Sequence, residues 1–145
     1  MTAAAVLGTL AAVSLGACSG STDVTAAPEA TSTACATAVA AFPKTVGGQA
    51  RSAVTADVGA GAWGDPAIIA RCGVPALGPT SVSCIDVDGV GWIPEDLSDG
   101  TRLTTFGTDP ALEVLVPDTY GAAPLILPAF DQAAEALPRN DLECR

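Results

Sequence analysis

The chain has 145 residues, 49% of them hydrophobic, with 16 acidic side chains against 6 basic ones, a formal charge of −10, five cysteines and no histidine. That length fits one modest domain with additions. The scattered cations Lys44, Arg51, Arg71, Arg102, Arg139 and Arg145 form no patch able to neutralise a row of phosphates, which argues against nucleic acid as a partner. Without histidine, a Ser-His-Asp or Cys-His pair and a His-ligated zinc or copper site are excluded, leaving carboxylate, thiol and oxygen-ligand chemistry.

Residues 3–17 (AAAVLGTLAAVSLGA) form an uncharged apolar run, short for a bilayer span and of the right length for the apolar region of an export signal. The run ends in Leu15-Gly16-Ala17-Cys18, which resembles the lipobox of bacterial lipoproteins. There, small residues fit a signal peptidase and the following thiol becomes a thioether-linked diacylglycerol. One departure is the lack of Lys or Arg before the run, so that only the terminal amine supplies positive charge. The expectation is a signal peptide at 1–17, lipidation at Cys18 and residence on the extracytoplasmic face of the cell membrane. Acyl chains gaining about 0.8 kcal/mol per buried CH₂ would make the attachment effectively irreversible.

Residues 19–33 (SGSTDVTAAPEATST) lack large apolar side chains and predict, with Cys18, a flexible linker over 18–33. A single globular domain is then expected over 34–145. Residues 34–42 (ACATAVAAF) suit a helix, with Thr33 as N-cap and Pro43 as breaker. Residues 67–72 (AIIARC) and 81–87 (SVSCIDV) read as strands, and Asp88-Gly89 is a strong hairpin signal leading into a strand at 90–93. Asp99-Gly100 precedes a strand at 101–106 (TRLTTF), and another at 111–116 (ALEVLV) is stopped by Pro117 and a turn at 118–121. Residues 125–137 (LILPAFDQAAEAL) carry Leu127, Phe130, Ala134 and Leu137 at helical spacing, with Pro128 tolerable only in the first turn. The predicted class is α+β: an antiparallel sheet of four to five strands with an N-terminal and a C-terminal helix on one face.

Cys35, Cys72, Cys84 and Cys144 remain after Cys18 and, in an exported chain, predict two disulfides. Three connectivities are open. The preferred one joins Cys35 to Cys144, clamping the two ends of the domain, and Cys72 to Cys84 across the short Gly/Pro-rich connection between them. A thiol redox centre lacks the Cys-x-x-Cys spacing, and a four-thiolate zinc site does not suit an oxidising compartment.

Residues 63–75 (WGDPAIIARCGVP), 87–92 (VDGVGW) and 103–117 (LTTFGTDPALEVLVP), with the Cys18 motif, resemble uncharacterised actinobacterial envelope proteins grouped as domain of unknown function 3515. The resemblance covers essentially the whole folded domain. It implies a secreted or lipid-anchored protein of high-GC Gram-positive bacteria, and brings no established activity or catalytic residues. One departure is Thr108, standing where a basic residue often follows the glycine.

Trp63, Asp65 and Arg71 lie close in sequence and are candidates for a small-anion pocket, with Arg71 gripping a carboxylate or phosphate, Trp63 stacking, and Trp92 as a second wall. The blander reading makes Asp65 a turn residue with Arg71 as its partner across a strand, and both tryptophans core or rim residues. Asp86, Asp88, Glu95, Asp96 and Asp99 invite a calcium or acid–base reading, but Asp86-x-Asp88-Gly89 lacks the remaining ligands of a calcium loop. Three hypotheses follow. The first is a non-enzymatic, lipid-tethered module that binds an envelope component or protein partner and needs no cofactor. The second is a small-anion binder at Trp63, Asp65 and Arg71. The third is a carboxylate- or thiol-based enzyme, which nothing in the sequence demands.

Overall fold

A computed structural model describes residues 20–145; the expected signal peptide at 1–17 and the lipidation candidate Cys18 lie outside the described residues. In chain order the elements are α1 (Thr33–Ala40), β1 (Thr45–Val46), β2 (Gln49–Ser52), β3 (Ala60–Trp63), β4 (Ile68–Val74), β5 (Ile85–Val87), β6 (Val90–Asp96), β7 (Gly100–Phe106) and β8 (Ala111–Pro117). A 3₁₀ turn (Asp118–Tyr120), a 3₁₀ stretch (Ala123–Phe130) and α2 (Asp131–Glu135) follow.

Turn chemistry fixes the strand ends. Asp88 and Gly89 both take positive φ, 51° and 83°, as the two residues between paired Val87 and Val90. This is the geometry whose twist suits a tight hairpin, and Asp86 Oδ1 accepts the Gly89 N–H at 3.1 Å. The strands form one antiparallel sheet of eight, ordered β1-β2-β3-β4-β8-β7-β6-β5. Two consecutive meanders are thus joined at β4 and β8. The expected four to five strands fall short because β1 and β2 are only two and four residues long. β3 (AGAW) has three small residues before its tryptophan and carries no β-branched signal.

Alternation sorts the side chains by face. Ile68, Ala70 and Cys72 of β4, Val90 and Trp92 of β6, Leu103 of β7, and Leu112, Val114 and Val116 of β8 point inward, into one core with α1, α2 and the 3₁₀ stretch. Trp63 sits at its centre against Phe42 and Phe130, with ring centroids 5.8 and 5.3 Å away. The predicted closing helix is 3₁₀ as far as Phe130 and α-helical only in α2. Pro124 and Pro128 each lack the N–H that an α-helical ladder requires. At the other end Ser32, one residue before the expected cap, accepts the Cys35 N–H at 3.2 Å to start α1.

The disulfides are Cys35–Cys72 and Cys84–Cys144, with Cα separations of 5.5 and 5.4 Å, not the expected Cys35–Cys144 and Cys72–Cys84. The expected pairing assumed that the strands flanking residues 73–83 are neighbours. In fact β8, β7 and β6 lie between β4 and β5, so four interstrand steps put Cys72 and Cys84 roughly 19 Å apart, far beyond disulfide reach. Cys72 faces inward to meet α1. Cys144 lies against the outward side of Gly91, where a Cβ would come within 2.7 Å of its sulfur.

The segment expected to be a flexible linker is packed from Thr22 onward. Thr22 N–H donates to the Ala53 carbonyl at 2.8 Å, Thr55 N–H to the Thr22 carbonyl at 2.9 Å, and Glu29 N–H to the Gly73 carbonyl at 2.9 Å. Val24, Ala27 and Ala30 are buried. Small apolar side chains at a spacing of three, with backbone hydrogen bonds, offset the ordering cost that its composition suggested was prohibitive. The strap fits because Gly73 has φ of 98° and no Cβ, which would stand 2.3 Å from the Ala30 nitrogen. Gly73→Ala is therefore expected to push the strap off at a cost of roughly 2 kcal/mol or more. Limited proteolysis should then cut within residues 20–31 in the variant and not in the parent.

Candidate functional site

The helices cover the inward face of the sheet, and the charged side chains of its central strands stand on the outward face. Register places Arg71 of β4 beside Glu113 of β8, and Arg102 of β7 beside Leu115 of β8 and Glu95 of β6. The result is a ladder of alternating charge across four strands. Arg71 Nε and Nη2 donate to Glu113 Oε1 at 2.9 and 2.6 Å. Arg102 Nε lies 3.3 Å from Glu113 Oε2, an ion pair without hydrogen-bond alignment. Arg102 Nη1 donates to Glu95 Oε2 at 3.0 Å. Glu113 at the centre is 5% exposed in its side chain, whereas Glu95 at the rim is 59% exposed. Arg71 also donates from Nη1 to the Thr25 carbonyl at 3.2 Å, tying the strap to the ladder.

Beside the ladder is a cleft of about 190 Å³ whose lining includes Ala67, Ile69, Leu97, Thr101, Leu115 and Pro117. The outward face thus joins an apolar shelf to a guanidinium, Arg102, one of whose partners is exposed. Of the two carboxylates on Arg102, Glu95 is exposed and Glu113 buried; Arg71 is committed to Glu113 and Thr25. Among the described residues the ladder holds carboxylates and guanidiniums and no thiol or hydroxyl paired with a base.

The four sequence candidates do not converge. Trp63 and Trp92 are fully buried on the inward face, Arg71 stands on the outward one, and Asp65 is exposed in the β3–β4 turn. Trp63 Nε1 donates to the Pro43 carbonyl at 3.0 Å, while Trp92 Nε1 is buried without a partner. Neither ring is available to stack on a ligand, and the partner of Arg71 is Glu113, not Asp65. Glu113 was missed because its significance depends on β8 lying beside β4, which sequence order conceals. Its one signal is a carboxylate at an outward position of an otherwise apolar strand.

The acidic residues are likewise dispersed. Asp86 and Asp88 lie at the β5–β6 turn, Glu95 at the far end of β6, and no group of three or more potential metal ligands forms among the described residues. Asp88 meets Asp131, at the start of α2. Burial raises the Asp131 carboxyl, a hydrogen bond with Asp88 adds to the shift, and the charges of Asp88 and Glu135 push in the same direction, up to about 6. The folded protein therefore holds this proton more tightly than the unfolded chain. The resulting stability is fully present below about pH 4 and is lost as pH rises through about 6. Thermal midpoints measured from pH 4 to 7 should fall, and Asp131→Asn should flatten that fall. An unchanged slope in the variant would assign the pH dependence to other groups.

A family model described as Protein of unknown function (DUF3515) matches residues 1–141. The chain belongs to the DUF3515 family. No curated protein and no solved structure matches it. In this DUF3515 protein Thr108 is fully buried, with its hydroxyl 2.7 Å from that of Thr105. Thr105 Oγ1 in turn accepts the Leu112 N–H at 2.9 Å. The position serves the β7–β8 turn and presents nothing to a ligand.

Proposed function

We propose that the chain is a lipid-anchored, extracytoplasmic protein of the actinobacterial envelope. In this reading it acts without cofactor or catalysis, binding an envelope component or a protein partner through the outward sheet face. The observation that carries the export reading is the pair of disulfides, one of them sealed in the core, because thiol pairs of this kind stay reduced in the cytosol. The Leu15-Gly16-Ala17-Cys18 motif supplies the anchor in this reading, and the cleft beside Arg102 supplies the contact surface.

The packed strap changes what such an anchor would do. Only Ser19, Gly20 and Ser21 separate Cys18 from the hydrogen-bonded Thr22, a span of about 14 Å at full extension. A chain lipidated at Cys18 is thus held against the bilayer and not displayed at a distance from it. Expression of the full chain in an exporting actinobacterial host tests the reading. The parent should partition into the detergent phase with a diacylglycerol on Cys18, and Cys18→Ser should appear in the soluble extracytoplasmic fraction with both disulfides formed. A Cys18→Ser chain that remains membrane-bound, or a parent chain found reduced in the cytoplasm, would overturn it.

A further inference from the structure

The two disulfides sit in opposite environments. Cys35 and Cys72 are fully enclosed in the core. Cys84 and Cys144 are only half-buried, on the rim of an open hollow of about 550 Å³ that is also lined by Val82, Phe106, Leu142 and Glu143. The segments that carry them are loosely held. Between β4 and β5 the hydrogen bond described is a local one, Val82 N–H to Thr80 Oγ1 at 3.1 Å. The 138–145 segment is fixed as far as Asn140, whose N–H donates to the Gly107 carbonyl at 3.0 Å, while Pro138 accepts the Asp109 N–H at 3.0 Å. Beyond Asn140 the described hydrogen bond is Leu142 N–H to Asn140 Oδ1 at 2.9 Å, and Cys144 Sγ, which has no proton in the disulfide, makes only a 3.8 Å contact with the Ile85 carbonyl. The disulfide is thus the main tie between two irregular segments, lying over Gly91 of β6, which pairs in register with Phe106 of β7.

From this geometry we infer that Cys84–Cys144 is a site of thiol–disulfide exchange, opened by an extracytoplasmic dithiol of the Cys-x-x-Cys class, and that its opening uncovers Gly91 and Phe106 on the outward sheet face. One thiolate of the dithiol attacks a sulfur of the pair; the Cys84–Cys144 bond breaks, a mixed disulfide forms, and the other cysteine leaves as thiolate. The second thiol of the dithiol, after losing its proton, attacks the mixed disulfide and releases the remaining cysteine as thiolate. Two electrons pass to this chain, and the dithiol leaves as its own disulfide. Access selects the bond, since an attacking thiolate must approach along the sulfur–sulfur axis and no such path reaches a pair sealed in the core. Once the bond opens, residues 141–145 lose their main attachment while the anchor at 138–140 stays. The change is a local release that adds Phe106 to the contact surface.

The inference rests on the exported placement proposed above, but its test on purified protein is independent of the anchor. Folded full-length chain is treated with graded dithiothreitol at pH 8, trapped with iodoacetamide and peptide-mapped. Cys84 and Cys144 should be alkylated at least tenfold faster than Cys35 and Cys72, and hydrogen exchange should rise in peptides spanning 104–107 and 141–145 while β4 and β8 stay protected. Cys144→Ser should in addition trap a Cys-x-x-Cys protein carrying an activated disulfide, through Cys84. The Cys84→Ser/Cys144→Ser variant should fold with Cys35–Cys72 intact. Simultaneous reduction of both pairs, earlier reduction of Cys35–Cys72, or failure of that double variant to fold would each overturn the inference.

Discussion

Replacing both core cysteines, Cys35→Ala with Cys72→Ala, is expected to lower stability by about 4 kcal/mol through loop closure alone, since the bond spans 37 residues. Loss of the buried sulfurs adds to this, because both side chains are fully enclosed and the alanines leave voids. Against the total of about 5–15 kcal/mol usual for a domain, the loss consumes a large share, and calorimetry should show a midpoint lower by about 10–20 °C. The loop closed by Cys84–Cys144 is longer, at 60 residues, and the same model assigns it a similar term of about 4 kcal/mol. There, however, removal frees two irregular segments in the folded state, which recovers part of the entropy gained by the unfolded chain. The midpoint of Cys84→Ser/Cys144→Ser should therefore fall by less than half as much. Equal drops would mean that the outer bond braces the fold as firmly as the inner one.

The contrast between the two bonds also marks what the sequence could reveal. Disulfide formation was legible from four cysteines behind an export-like segment, but their pairing was not. Pairing depends on topology, and the step from β4 to β5 skips three strand positions in the sheet. Local signals were read well where turn chemistry is strong. Asp88-Gly89 forms the expected hairpin, β7 and β8 lie within a residue of their expected limits although β6 runs three residues past its expected end, and α1 begins within a residue of its predicted start. Where the signal is weak, elements were missed, as in the two-residue β1 and the Ala-Gly-Ala run of β3. The strap failed for a related reason. Composition reports the apolar surface a segment can bury, but not the backbone groups that the segment finds along Ala53, Thr55 and Gly73.

The candidate site was read less well than the fold. Adjacency in sequence brought Trp63, Asp65 and Arg71 together, whereas β alternation sends Trp63 and Arg71 to opposite faces of the sheet. What places Arg71 in a site is its cross-strand neighbour Glu113, 42 positions away. Tryptophans in a small domain with 4% aromatics were candidates for recognition, but the core needed them first. Trp63 fills the space between Phe42 and Phe130, and Trp92 is sealed even at the expense of an unpaired N–H.

Glu113→Ala is the second large effect expected. Removing one member of a buried pair costs about 3–5 kcal/mol when the partner charge stays enclosed. Here the Arg71 and Arg102 side chains are 26% and 35% exposed and can turn toward water, so about 2–3 kcal/mol is expected. Glu95→Ala should cost less than about 0.5 kcal/mol, as for an exposed pair. A double-mutant cycle between Arg71 and Glu113 should give a coupling of about 1–2 kcal/mol that survives 1 M salt, while the Arg102 and Glu95 cycle should fall to near zero. Arg71→Ala should also loosen the strap, because the Thr25 carbonyl loses its donor, and hydrogen exchange over residues 20–31 should rise in that variant but not in Arg102→Ala. If Glu113→Ala costs no more than Glu95→Ala, the ladder is a solvated surface network whose centre holds nothing in place. If the costs separate as expected, Glu113 fixes β4 to β8 across the junction of the two meanders, while the exposed pair of Arg102 with Glu95 at the rim adds little.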